Sequence, residues 1–141
     1  MKYNQDKINK LCYELKKSLA NLHRLSRLEK KAFISDPDKT GSAKYNFIIA
    51  IEAAIDLCNH IIANKMYRTP EDYADTFRVM QEVGVFTEKF TDSLVQMAKF
   101  RNRLVHIYWD IDEEMLHTFM QNDLMDLEQV IIQLGKIFNS D

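Results

Sequence analysis

The sequence predicts an all-α fold, an antiparallel helical bundle of four to five helices, and three features predict it. Apolar residues recur at every third or fourth position over long stretches, which is the period of one helix face. Only three Gly and two Pro punctuate the 141 residues, whereas an all-β chain needs a turn signal every 8–12 residues or so. Helix-start chemistry precedes several of the apolar stripes, and the connections between them are short, so neighbouring helices should run antiparallel. The length is that of one domain, 1–141, large enough to bury a core without disulfide or metal staples.

The first stripe, Ile8, Leu11, Leu15, Leu19, Leu22, Leu25 and Leu28, predicts a long helix over residues 6–33. Residues 35–42, SDPDKTGS, read as a loop that stops it. A second helix is expected from about 43 to 66; Ile48, Ile51, Ala54, Ile55, Leu57, Ile61 and Ile62 make it apolar enough to lie near the bundle's centre. Thr69-Pro70-Glu71-Asp72 opens the third, with Thr69 as N-cap, Pro70 in the first turn and two acids at the positive end of the helix dipole. Gly84 ends it near Glu82. Thr87 and Glu88 begin the fourth, whose stripe is Phe90, Leu94, Met97, Ala98, Leu104 and Val105. Asp110 or Asp112 caps the fifth, which carries Met115, Leu116, Phe119, Leu124, Leu127, Ile131, Leu134 and Phe138.

The charge balance of −2 is not that of a nucleic-acid clamp, but it is unevenly distributed. Residues 1–31 hold nine Lys or Arg against three acids, and residues 110–141 hold eight acids with Lys136 as their base. Such helices can pair with each other, or can offer a basic face to RNA and an acidic one to a partner. No unbroken apolar run approaches the roughly 18 residues of a membrane span, and MKYNQDKINK has no apolar signal segment. Cys12 and Cys58 lie far apart without C-x-x-C spacing, and read as buried free thiols in a reducing compartment. A cytoplasmic protein with no membrane contact is expected.

The polar groups that call for explanation fall late in the fourth helix, in KFRNRLVHIYWD. Arg101, Asn102, Arg103, His106, Tyr108 and Trp109 crowd around Leu104, Val105 and Ile107. They supply a phosphate-binding charge, a proton carrier and a phenol. The spacing of Arg101, His106 and Tyr108 is R-x4-H-x-Y, and in the form RNRLVHIY it resembles the HepT branch of the HEPN proteins. The central helix FIIAIEAAIDLCNHIIANK, the Thr-Pro opening of an acidic third helix and the Gly-Val turn before the motif are similar too, over nearly the whole chain.

This resemblance implies a metal-independent endoribonuclease, needing no cofactor, that is the toxin of a type VII-like toxin–antitoxin pair. Arg101 and His106 would act on RNA, and a homodimer would bring two copies of the motif into one cleft; Asn102 and Arg103, which the signature does not name, are candidate supporting residues by their position beside Arg101. The antitoxin would be a small nucleotidyltransferase that attaches AMP to Tyr108. The chemistry is consistent with these residue types. RNA carries its own nucleophile in the 2′-hydroxyl, so cleavage requires proton transfers and stabilised phosphorane charge rather than activated water. An imidazole transfers protons near neutrality, and a guanidinium fork binds phosphate oxygens in a way lysine cannot.

On an ideal helix Arg101 and Tyr108 fall within roughly 20° of each other, and His106 about 140° from Arg101. Either the helix loosens near His106, or a two-fold-related copy completes the cleft; the second is preferred. The competing function is a non-catalytic helical module that partners a nucleotidyltransferase. Glu52, Asp56 and His60 stand at i, i+4 and i+8 on the second helix. A bundle metal site would need paired Glu and Glu-x-x-His motifs from several helices, so the expected role of this stripe is a polar seam that borders the cleft and orients His106. Phe86, Phe90 and Tyr73 are expected in the core, and Trp109 either stacks an RNA base or anchors the dimer.

Overall fold

The computed structural model describes residues 3–107 and 110–140, and all regular structure within them is helical. Seven helices follow one another: α1 (Gln5–Ser26), α2 (Lys30–Ile34), α3 (Pro37–Lys65), α4 (Tyr73–Glu82), α5 (Glu88–His106), α6 (Glu113–Asn122) and α7 (Leu124–Ser140). The count exceeds the expected five because two long stripes are broken.

The first break ends α1 at Ser26 rather than near residue 33, and the last residues of the expected helix form the short α2, with Phe33 fully buried. The second is at Asp123, which separates α6 from α7. The expected loop at 35–42 is also corrected. Asp36 caps α3, its carboxylate accepting from the Asp38 and Lys39 backbone N–H groups at 3.0 and 3.4 Å, with Pro37 at the first helical position. An aspartate followed by proline is therefore a helix start here, not a breaker. The start of α4 shifts in the same way: Asp72, not Thr69, is the N-cap, accepting from the Asp75 N–H at 2.7 Å. Gly84, at φ 85°, closes α4 as expected, and Thr87 and Asp112 cap α5 and α6.

The long α3 is the core helix. By length and hydropathy alone it could cross a membrane, but Phe47, Ile51, Ile55, Leu57, Cys58 and Ile61 are all fully buried within the bundle. Burial also pushes the Cys58 thiol well above its usual range. α1 packs along α3, and α4 packs against α5. The charge asymmetry is partly absorbed within the molecule, since Lys30 lies 3.8 Å from Glu114, and the same ends of the chain are joined by a hydrogen bond between His23 and Glu128.

α5 is held in rotation by an aromatic trio. Phe100 stacks on Phe119 of α6 with centroids 4.2 Å apart and meets Phe47 of α3 edge-on at 5.6 Å. Aromatic pairs of this kind add about 0.5–1.5 kcal/mol beyond their area burial. With Phe100 and Leu104 both turned into the core, Arg101 is carried toward the seam between α3, α4 and α5.

Candidate active site

Arg101 is held on three sides. Its Nε donates to Glu52 Oε1 at 3.0 Å, and its Nη2 forms a close ion pair with the same oxygen. Its Nη1 donates to Asn102 Oδ1 at 3.2 Å. The guanidinium carbon lies 4.7 Å from the centroid of the Tyr73 ring, within cation–π range. These partners leave the Arg101 side chain only 11% exposed. Glu52 comes from the middle of α3, and Tyr73 is the first residue of α4, so two other helices fix the orientation of one side chain on α5.

His106 is the last residue of α5 and is exposed. Ile107, at φ −133° and ψ 48°, leaves helical geometry, with its N–H still donating to the Arg103 carbonyl at 2.7 Å. The helix thus stops at the histidine. Arg101, Asn102 and His106 line one open groove of about 520 Å³, together with Asp72, Tyr73 and Val105. The imidazole is not sealed in the core but stands on the same groove as the guanidinium.

The other expected site residues divide. Asn102 is both a groove residue and an Arg101 partner. Arg103 is turned to the α6 side, where its Nη1 lies 3.5 Å from Met115 Sδ, and it lines a different groove with Lys99 and Phe119. Tyr108 and Trp109 fall outside the described residues.

Of the stripe Glu52, Asp56 and His60, only Glu52 reaches the site, and it meets Arg101 rather than orienting His106. Glu52 turns to the guanidinium. Burial, and then the neighbouring Glu52 charge, raise the Asp56 carboxyl above its usual range, while Lys7 and Arg101 partly offset this. His60 faces the chain's start, its Nε2 accepting from the Asn4 N–H at 3.1 Å, and desolvation lowers its basicity. The three side chains therefore serve separate ends.

Two features escaped the sequence reading. Tyr73 was expected in the core; it is 41% exposed and lies under Arg101, because Asp72 rather than Thr69 starts α4. Phe86 is buried as expected, with Phe90 packed edge-on against it at 5.0 Å. The pairing of Glu52 with Arg101 had only one sequence signal, the polar stripe Glu52, Asp56 and His60 on the otherwise apolar central helix.

Comparison with known proteins gives a consistent set of likenesses. The family model described as "Ribonuclease HepT-like" matches residues 15–134. The chain is 31% identical over 80 residues to a protein named mRNA nuclease HepT of Shewanella oneidensis, covering 57% of this chain and 60% of that one. It is 26% identical over 83 residues to a putative RNase of Archaeoglobus fulgidus, covering 59% and 62% of the two. The chain thus spans about three fifths of the length of the curated relatives it matches. Its fold is similar to that of a tri-AMPylated Shewanella oneidensis HEPN toxin in complex with MNT antitoxin, with TM-score 0.86, 24% identity and 93% and 98% of the two chains covered. It is equally similar to YutE of Bacillus subtilis, a cytosolic protein of unknown function, with TM-score 0.85, 20% identity and 98% and 92% covered.

Proposed function

The chain belongs to the ribonuclease HepT-like family, and on that premise we propose that it is a metal-independent endoribonuclease toxin, held silent by a nucleotidyltransferase antitoxin. The observation that carries the activity is the shared groove: a fixed guanidinium and an accessible imidazole on one open surface.

Single-stranded RNA lies along the groove with its scissile phosphate against Arg101, whose remaining N–H groups bind non-bridging oxygens. A base takes the proton of the 2′-hydroxyl, whose oxygen attacks phosphorus. The bond from phosphorus to the 5′-oxygen breaks, and an acid protonates the leaving oxygen. The products are a 2′,3′-cyclic phosphate and a 5′-hydroxyl end. His106 fills one of the two proton-transfer roles. Its place at an exposed helix end leaves room for a two-fold-related copy to bring the second imidazole, as in the homodimer the motif implies. Asn102 steadies Arg101. Arg103, turned to another groove, supports RNA binding at most.

Silencing is assigned to Tyr108, two residues beyond the end of α5. AMP on its hydroxyl would add a phosphodiester anion that competes with the RNA phosphate for the Arg101 donors. The AMPylated relative of similar fold supports this reading. The protein would act in the cytoplasm.

The test is cleavage of single-stranded RNA in the presence of a chelator by the wild type and by His106→Ala. The substitution should lower the rate by about 10²- to 10⁴-fold, the usual contribution of a positioned acid or base. Equal rates would reject the nuclease in favour of a non-catalytic partner of a nucleotidyltransferase. Co-expression with such an enzyme should add the mass of one or more AMP units, and Tyr108→Phe should abolish the gain.

A further inference from the structure

We infer that Glu52 is a positioning residue for Arg101, selecting which N–H groups the guanidinium presents to a phosphate; this rests on the nuclease reading above. An arginine has five N–H donors in a planar fork. Among the described residues, Glu52 Oε1 takes the Nε donor and one from Nη2, and Asn102 Oδ1 takes one from Nη1. Two remain, one on each terminal nitrogen. That pair matches two oxygens of a single phosphate.

The arrangement also restricts how the fork can move. Glu52 holds the Nε edge, and the Tyr73 ring covers one face at 4.7 Å. Rotation about the side-chain bonds would break the ion pair, and tilting would break the ring contact. Fixing a mobile arginine side chain costs rotamer freedom, so a guanidinium fixed before substrate arrives is a better transition-state donor than a mobile one. The carboxylate has an opposite effect on binding. Sitting beside the cation, it diminishes the attraction of Arg101 for an incoming phosphate. Glu52 should therefore favour kcat at the expense of KM, a split that a purely structural carboxylate would not produce.

Three substitutions separate these effects. Glu52→Gln keeps an oxygen that can accept from Nε and Nη2 but removes the charge. Glu52→Ala removes both, and Glu52→Asp keeps the charge on a side chain one methylene shorter. With single-stranded RNA, Glu52→Gln should keep kcat within about three-fold of wild type and lower KM. Glu52→Ala and Glu52→Asp should lose kcat by up to about 100-fold, the cost of a misplacement near 1 Å. A second readout does not depend on activity. The Arg101 Nε–H resonance in ¹⁵N NMR should be resolved and protected from exchange in the wild type and in Glu52→Gln, and averaged in Glu52→Ala. Unchanged kcat and an unchanged resonance in Glu52→Ala would overturn the inference. So would an equal loss of kcat in Glu52→Gln and Glu52→Ala that tracks a fall in melting temperature. If the wild type cleaves no better than His106→Ala, the nuclease reading fails instead, and the resonance still decides whether Glu52 orders Arg101.

Discussion

Arg68 and Arg101 are both guanidiniums braced by carboxylates, yet they are braced to different ends. Arg68 follows α3 and is gripped by two acids of α4. Its Nη1 and Nη2 take Asp75 at 2.7 and 2.9 Å, and its Nε and Nη2 take Glu82 at 2.8 and 2.9 Å. Four donors are engaged and the positive charge is exceeded by two negative ones. Arg101 meets one carboxylate, one amide oxygen and one ring, lines an open groove, and among the described residues has two N–H donors left over. A guanidinium with four of its five donors held by two carboxylates is a fastener. One with an edge held and an edge spare is a prepared binding group, and the spare edge marks the site more clearly than exposure does. By exposure alone Arg68, at 44%, would look more available than Arg101, at 11%.

Substituting each arginine by lysine should break the comparison if it is wrong. Arg101→Lys keeps the charge but loses the planar fork, so RNA cleavage should fall by about 10²- to 10³-fold, as when a transition-state donor is removed. Circular dichroism should show the fold intact. Arg68→Lys should leave cleavage per folded molecule unchanged and lower the melting temperature by a few degrees. Comparable cleavage by Arg101→Lys and wild type would remove the distinction.

Acid should sharpen it. Hydrogen bonds from Arg68, then from the Glu71 N–H, hold the Asp75 carboxyl at a pKa of about 2, below its ordinary 3.8. Arg68 also lowers the Glu82 carboxyl. A carboxyl depressed in the folded state stabilises fully above its unfolded value, and that stabilisation fades as pH falls toward the folded one. Thermal melts should therefore lose stability from about pH 4 down to about pH 2, and Asp75→Asn should flatten that part of the profile. An unaltered profile would show that the clasp contributes nothing measurable.

The smallest expected effect lies at the start of α4, the helix that both arginines contact, Arg68 through Asp75 and Arg101 through Tyr73. Asp72 caps that helix and so sets Tyr73 beneath Arg101. Asp72→Ala should cost about 1 kcal/mol of stability and Asp72→Asn little, the usual pattern at an N-cap. Denaturant unfolding of the two variants would check it.

Much of the bundle was legible in the chain because local signals and tertiary packing agree. Asp112, Thr87 and Gly84 act where they were expected to, and the leucine stripe of α1 is the face that packs on α3. Boundaries were misplaced where one signal has two meanings. Asp36-Pro37 suits a turn or a helix start, and only the residues that follow decide. Thr69-Pro70 looked like the start of α4, but Asp72 lies closer to the apolar stripe and took the cap.

By itself the sequence determined the helical class, the apolar faces and the presence of a guanidinium, an imidazole and a phenol within eight residues of one another, because periodicity and spacing are local properties. Which acid would hold Arg101 was decided only by the fold. Glu52 is 49 positions away, and a contact at that separation depends on how α3 and α5 are rotated against each other by Phe47, Phe100 and Phe119. Only the fold, likewise, showed Tyr73 beneath the cation and α5 ending at His106. No pattern within a single helix encodes the rotation of a second one, so the chemistry could be read from the chain while its preorganisation could not.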